Sequence, residues 1–189
     1  MKTTRLEAFS DAVMAIIITI MILELKVPEE TNFSALLPKA PIFISYLISF
    51  IFIAIYWNNH HHLFQVTEKV NGKILWANMH VLFWVSLIPF STSWLGENHE
   101  ASAPGALYGI VLLMITIASI ILQRAILKHH DKDFMLRDAI GNDLKGKLTI
   151  LIYVIGITLS FFNSSFAVLC YVIVAIIWFT PDKRIEKNL

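Results

Sequence analysis

The stretch Arg5-Leu-Glu-Ala-Phe-Ser-Asp-Ala-Val-Met-Ala-Ile-Ile-Ile-Thr-Ile-Met-Ile-Leu-Glu-Leu25 opens with a polar block and then becomes apolar, interrupted only by Thr19 before residue 24. At about 1.5 Å per residue, a helix through it is long enough to cross the roughly 30 Å hydrocarbon core of a bilayer. One stripe of this helix, at i, i+3, i+4 and i+7 spacing, carries a single polar side chain. Its members are Phe9, Ala12, Ile16, Thr19, Ile20 and Leu23. We predict that this narrow apolar seam lines a pore.

The composition of the chain is that of a polytopic membrane protein. Of its 189 residues 57% are hydrophobic, and the mean hydropathy is +0.67. A soluble domain has about 45–50% apolar residues, and here the excess lies in long uncharged runs. The net charge of +1 gives no indication of a nucleic-acid partner. The only cysteine, Cys170, excludes a disulfide framework within the chain.

A secretory signal peptide is the alternative interpretation of the first segment, because Lys2 and Arg5 precede an apolar run. However, Glu7 and Asp11 stand at the start of that run, and no small-residue cleavage site follows it. We therefore predict a retained helix.

Apolar runs and breakers divide the chain into six predicted membrane helices. The last two are short, with Asn163-Ser164-Ser165 between them, and are predicted to form a tight helical hairpin. A charged connector, 131–147, precedes them and has room for a short surface helix. We predict one six-helix domain over residues 1–189. Its helices are 5–27, 41–66, 74–94, 106–127, 147–162 and 166–180.

The basic residues lie almost entirely on one side of this arrangement. Only Lys26 and Lys39 fall on the far side, so 13 of the 15 basic residues are on the side of the N-terminus. By the positive-inside rule both termini are predicted to be cytoplasmic. The thirteen are Lys2, Arg5, Lys69, Lys73, Arg124, Lys128, Lys132, Arg137, Lys145, Lys147, Lys183, Arg184 and Lys187.

Polar residues near the cytoplasmic ends of helices 1, 2 and 3 predict one hydrogen-bond network. Such groups are costly inside a membrane and usually face other protein or water. One interpretation is structural, since interhelical polar contacts contribute about 0.6 to 2 kcal/mol each. The other is a gate hinge or proton sensor, because an unperturbed histidine titrates near ~6.5. The polar residues are Arg5, Ser10 and Asp11, then Asn58 to His62, then Asn78 and His80.

A metal site and an enzyme are the less favoured hypotheses. Successive helical residues are about 100° apart, so His60, His61 and His62 cannot all face one ion. A site would combine His60 or His61 with His80 and Asp11. The sequence contains no Ser-His-Asp, Walker-type or glycine-rich phosphate motif. We expect no cofactor, no resident metal and no catalytic residues, with a membrane redox enzyme as a remote alternative.

A proton- or cation-coupled secondary transporter is the main rival hypothesis. It would use Asp11, His60 and His80 as a relay through the membrane. Many transporters have broken helices and internal repeats, and neither is clear in this sequence.

The block Arg5-x-x-x-Phe9-Ser10-Asp11, followed by Ala-Val-x-Ala-Ile-Ile-Ile-Thr-Ile and closing at Pro28, resembles the signature of a known family. It is the family of endosomal and lysosomal potassium channels that lack a Thr-Val-Gly-Tyr-Gly filter, a motif also missing here. The chain length resembles a bacterial member with a single repeat. The resemblance extends to Trp57, His60, His61, Asn78 and the run Leu87-Ile-Pro-Phe.

The resemblance implies a homotetramer in a bacterial inner membrane that conducts monovalent cations, with helix 1 of each subunit around the pore. It implies that Ile16 forms a hydrophobic constriction with Ile20 and Leu23 as neighbouring layers. It also implies that the hydroxyl of Thr19 faces permeating potassium, with modest selectivity. The residues implied for the structural network are Arg5, Phe9, Ser10, Asp11, Trp57, His60, His61 and Asn78.

Overall fold

The computed structural model describes residues 3–130 and 143–179, and every regular element in these ranges is helical. A 3-10 turn, Phe33–Lys39, runs directly into the second helix. The prediction of an all-helical fold with several apolar helices is confirmed. Most of the connector 131–147, with its predicted surface helix, lies outside the described residues. The helices are α1 (Thr3–Leu23), α2 (Ala40–Gln65), α3 (Gly72–Val85), α4 (Ile88–Glu97), α5 (Ser102–His129), α6 (Leu144–Ser160) and α7 (Ser164–Phe179).

The segment boundaries lie within four residues of the predictions, but two differences change how the segments are described. Helix α1 ends at Leu23 rather than at residue 27, so Glu24 lies just beyond it. The predicted third segment, 74–94, is two helices, α3 and α4. Pro89 has no N–H to donate to the carbonyl four residues earlier. The chain therefore leaves α3 through a tighter turn, with Leu87 N donating to Trp84 O.

Contacts between helix ends show how the elements alternate in direction. The Thr3 hydroxyl donates to Thr67 O, 2.9 Å away, so α1 begins beside the link between α2 and α3. At the opposite end of the bundle, Lys26 Nζ lies 3.6 Å from Glu97 Oε1, just after α1 and at the end of α4. Helix α1 and the α3–α4 pair therefore run the same way, and α2 runs against them.

Helix α5 is the centre of the bundle and α1 lies at its edge. Helix α5 packs against α3, α4, α6 and α7, and residues such as Ile115 and Ala118 are fully buried. Helix α1 packs chiefly against α2, α3 and α4. One face of α1 consequently has no covering helix among the described residues of its own chain.

Within residues 3–130 and 143–179, four helical stretches are long and apolar enough to cross a membrane: Thr3–Leu23, Phe33–Gln65, Gly72–Glu97 and Ser102–His129. Helices α6 and α7 have 17 and 16 residues. Their length of about 24–26 Å is slightly less than a hydrocarbon core of about 30 Å. They pack together as the predicted hairpin.

Candidate functional site

The uncovered face of α1 coincides with the predicted pore-lining stripe. All six stripe residues are exposed in the single chain: Phe9, Ala12, Ile16, Thr19, Ile20 and Leu23. The exposed fraction is 56% for Ile16 and 79% for Leu23. The other face of the helix is buried through Leu6, Ser10, Met14, Ile17 and Met21. Helix α1 therefore presents a mostly apolar stripe to lipid or to another subunit.

The Thr19 side chain adds one oxygen to this apolar stripe. Its hydroxyl donates to the carbonyl oxygen of Ile16 at 2.7 Å. A hydroxyl has one proton and two lone pairs, so the bond uses its proton and leaves oxygen lone pairs free to accept. An exposed acceptor without a free proton suits a cation better than an anion.

A buried hydrogen-bond network joins α1, α2 and α3 behind the stripe. The Asn78 side chain on α3 donates from Nδ2 to Ser10 Oγ on α1 at 2.9 Å. Its Oδ1 lies 2.7 Å from Nε2 of His60 on α2. The Ser10 hydroxyl in turn donates to Leu6 O at 2.9 Å. Ser10 and Asn78 are fully buried, so the network holds the three helices in one register.

A second set of contacts joins α1 to α2 nearer the surface. Trp57 Nε1 donates to Asp11 Oδ1 at 3.0 Å, and His61 Nδ1 lies 2.8 Å from Glu7 Oε1. The Trp57 and His61 rings are stacked, with centroids 5.6 Å apart. Sequence reasoning missed Glu7. Its spacing of four from Asp11 matches the spacing of four between Trp57 and His61, which is the pattern of two helices pairing side by side.

Five of the predicted polar residues lie outside these networks: Arg5, Asn58, Asn59, His62 and His80. Arg5 is exposed, and in residues 3–130 and 143–179 its side chain makes no hydrogen bond or ion pair. His80 Nε2 accepts from Trp84 Nε1 of its own helix at 2.9 Å. Asp11, His60 and His80 thus have three separate partners instead of forming a connected relay.

A groove of about 680 Å³ runs between α1 and α4 beside the stripe. Ile16, Ile20 and Glu24 line it from the side of α1, and Phe90 and Trp94 line it from α4. The two aromatic residues were not predicted as site residues. Their i, i+4 spacing on α4 is the sequence signal that places them on one face.

The acidic and histidine side chains do not form a metal centre in the part of the chain that the structure describes. No group of three or more His, Cys, Asp or Glu side chains there is arranged to hold an ion. The described site therefore consists of an apolar stripe, one hydroxyl and the two networks behind it.

Comparison with known proteins relates this arrangement to ion channels. Residues 5–89 match the family described as endosomal/lysosomal potassium channel TMEM175. A potassium channel of Chryseobacterium sp. (strain P1-3) is 53% identical over all of this chain and 98% of the relative. A potassium channel of Streptomyces collinus is 34% identical over 62% of this chain and 61% of the relative.

A solved structure has the same fold. It is the crystal structure of a lysosomal potassium-selective channel TMEM175 homolog from Chamaesiphon minutus, with a TM-score of 0.80 and 31% identity. The alignment covers 93% of this chain and 95% of the other. The resemblance read from the Arg5 to Asp11 block is confirmed by these matches. The chain belongs to the TMEM175 family of endosomal/lysosomal potassium channels.

Proposed function

We propose that this chain is one subunit of a potassium channel in which copies of α1 surround the ion path. The observation that carries the proposal is the uncovered face of α1. Its stripe is apolar except for Thr19, and the opposite face is buried against the rest of the subunit. Relatives that are named potassium channels, and a potassium-selective neighbour with the same fold, support potassium as the permeant ion.

Four subunits around one axis would place a ring of Ile16 side chains about 16 Å along α1 from Arg5. Ile20 and Leu23 follow as further apolar layers toward the end of the helix. When such a ring is narrow, a cation inside it has neither water nor protein oxygens, so the pore closes by losing its water. A small rotation of α1 that widens the ring admits partly hydrated ions.

Selectivity in this pore is modest and favours potassium. The free energy of entering an apolar constriction is higher for sodium than for potassium, because sodium holds its hydration water more strongly. The Thr19 hydroxyl adds a weak acceptor site next to the Ile16 layer, because its proton is already donated to the helix backbone. No cofactor takes part, and potassium is only the permeant species.

The two networks position α1 instead of relaying ions. His60, Asn78 and Ser10 tie the buried face of α1 to α2 and α3, while Glu7 and Asp11 fasten its outer edge to α2. We place Arg5 and Phe9, which are exposed in the single chain, at contacts between subunits. We therefore favour the channel over the transporter hypothesis. The transporter would use Asp11, His60 and His80 as a relay, and these three residues have separate partners.

The subunit forms one six-helix domain over residues 1–189 in a bacterial inner membrane. The hairpin of α6 and α7 supplies the last two spans. Of the described basic residues, most lie at the end of the bundle where α1 begins, and Lys26 and Lys39 lie at the other. This charge asymmetry supports cytoplasmic termini.

Recordings from the purified protein in planar bilayers test the function. We expect unitary current steps carried by potassium, with a reversal potential between potassium and sodium solutions that favours potassium. A carrier would instead give a saturable flux without unitary steps. Flux that saturates and depends on a counter-ion, with no current steps, would contradict the channel.

A further inference from the structure

An internal cavity of about 80 Å³ lies within the subunit, on the far side of α1 from the exposed stripe. Helices α2, α3, α5, α6 and α7 form its walls, and Met14 of α1 reaches it from the buried face of that helix. Asp143 and Gly146 line it from the first turn of α6. The cavity therefore extends from the end of the bundle where α6 begins toward the network around His60.

A stripe of polar side chains on α5 faces this cavity. Thr116, Ser119 and Gln123 all line it, at i, i+3 and i+7 spacing. Thr116 Oγ1 donates to Leu112 O and contacts the Tyr56 hydroxyl at 3.2 Å. Ser119 and Gln123 make no hydrogen bond with any described residue, although both are half-buried. Polar groups at this depth normally face protein partners or an occupied cavity.

His60 contributes a buried acceptor beside the same cavity. Ser10 gives its only proton to Leu6 O, so Asn78 must donate to Ser10 from Nδ2 and accept from His60 through Oδ1. In the neutral ring the proton is therefore on Nε2, and Nδ1 carries a lone pair. That Nδ1 is buried and has no partner among the described residues. Leaving such an acceptor unpaired is energetically unfavourable.

The lining determines which kind of molecule fits. Most of the wall is apolar, formed by side chains such as Phe52, Leu63 and Val174. A buried water needs about 2–4 polar partners, so a water can bind at the polar side of the cavity, but the apolar remainder gives further waters no partners. A charged molecule would lose its hydration in a mostly apolar space. A small molecule with an apolar body and one hydroxyl group packs against the apolar wall and hydrogen-bonds to the unpaired polar groups.

We propose that this cavity binds a small neutral amphiphile whose hydroxyl hydrogen-bonds to the polar side of the cavity formed by His60, Ser119 and Gln123. The bound molecule touches Met14, on the face of α1 opposite Ile16, and adjoins the network that holds α1 to α2 and α3. Occupancy therefore restrains the movement of α1. This effect on the pore rests on the proposed channel function, whereas the binding site does not.

Quenching of tryptophan fluorescence by 2-bromoethanol, a probe small enough for a cavity of about 80 Å³, tests the binding site in the purified full-length protein. Trp178 lines the cavity, with its Nε1 donating to Thr149 Oγ1 at 2.8 Å. Its emission is therefore quenched when the brominated probe occupies the site. We expect quenching that saturates, and we expect Trp178→Phe to remove the saturating component. Quenching that rises linearly with the concentration of the probe would overturn the proposal. Quenching that saturates to the same extent in Trp178→Phe would overturn it as well.

Two variants and a second probe identify the site and its chemistry. Ser119→Leu fills the cavity and removes a hydroxyl, and we expect at least about tenfold weaker binding. Thr158→Leu makes a similar change on the exposed face of α6 and should bind as the unmodified protein does. Equal affinities in both variants would contradict the site.

Bromoethane has the same apolar body without the hydroxyl, so we expect it to bind more weakly to the unmodified protein. This comparison remains decisive if Ser119→Leu does not fold. Equal binding of the two probes would overturn the role of the hydroxyl. No ion flux is needed for these titrations. A protein that binds 2-bromoethanol but conducts no potassium would contradict the channel and leave the site established.

Discussion

Ile16 and Thr19 are three positions apart on α1, and they contribute opposite properties to the same exposed face. The Ile16 side chain excludes water, while the Thr19 oxygen can accept from water or contact a cation. The hydrogen bond from Thr19 to the Ile16 carbonyl links them directly. It also occupies the Thr19 proton, so this hydroxyl can only accept hydrogen bonds on the exposed face.

Replacing Ile16 with asparagine should increase conductance and reduce selectivity. A polar amide keeps water in the narrowest layer, so the cost of removing water from the ion falls. We expect at least about a twofold rise in unitary current in planar bilayers. Ile155→Asn is the matched control, because Ile155 is an exposed apolar residue on α6. An unchanged current in Ile16→Asn would mean that Ile16 is not the constriction.

Replacing Thr19 with valine should lower the preference for potassium. Valine keeps the shape and removes the oxygen, and loss of one weak acceptor of about 1 kcal/mol corresponds to roughly a fivefold change in permeability ratio. The bi-ionic reversal potential should shift toward zero. Thr158→Val is the control, since Thr158 makes the same kind of backbone bond, to Val154 O at 2.9 Å, on exposed α6. A reversal potential like that of the control would exclude Thr19 from ion contact.

At the scale of helices, the position of α1 depends on a few polar contacts as well as on apolar packing. A membrane provides little hydrophobic driving force between helices, so buried hydrogen bonds and close packing set their register. Asn78 bonds to both Ser10 and His60 and thereby connects α3 to α1 and α2. The side-by-side pairs of Glu7 with His61 and Asp11 with Trp57 then set the rotation of α1 about its own axis.

The substitution Asn78→Leu should destabilise the subunit by roughly 1–3 kcal/mol, because it leaves the His60 ring without its partner and breaks the bond to Ser10. Thermal unfolding in detergent measures the change. Asn58→Leu is the control, since Asn58 is half-buried on α2 and makes no hydrogen bond in the described part of the chain. A midpoint for Asn78→Leu equal to that of Asn58→Leu would show that the network does not stabilise the fold.

At the scale of the whole molecule, the described part of a single subunit leaves a large apolar surface without a protein partner. The stripe on α1 and the groove beside it leave large apolar side chains such as Ile16, Leu23 and Phe90 exposed in a continuous region. Lipid could cover such a surface, but lipid gains nothing from the Thr19 oxygen. If copies of α1 surround a shared axis, both the apolar residues and the Thr19 hydroxyl lie along the ion path. This is the reason for proposing that α1 is at the centre of an assembly.

The purified particle should contain four chains, with a protein mass of about 86 kDa from four times 21.5 kDa. Light scattering in detergent measures this mass. In a Cys170→Ser background, Ile16→Cys should in addition make the current sensitive to block by Cd²⁺, because thiolates around one axis can ligate one ion. Ile155→Cys should remain insensitive. A monomeric particle, or no block of Ile16→Cys, would remove α1 from the axis.

Much of this architecture can be inferred from local pattern. The apolar runs, the breakers and the period of 3.6 residues predicted the helices, and the stripe from Phe9 to Leu23 coincides with the exposed face of α1. These features depend on neighbouring residues along the chain, so the sequence carries them directly. The break between α3 and α4 is of the same kind, because Pro89 lacks the donor that a continuous helix needs.

The sequence by itself thus determined the membrane class, the helices and the identity of the seam on α1. Only the tertiary structure decided which polar groups meet: that Asn78 bridges Ser10 and His60, that Glu7 pairs with His61, that His80 bonds within its own helix, and that Ser119 and Gln123 face a cavity. The physical reason is the separation along the chain of the residues that determine each feature. Helical periodicity is set over a few residues, whereas a hydrogen bond between helices depends on how each helix is rotated by the packing of all the others.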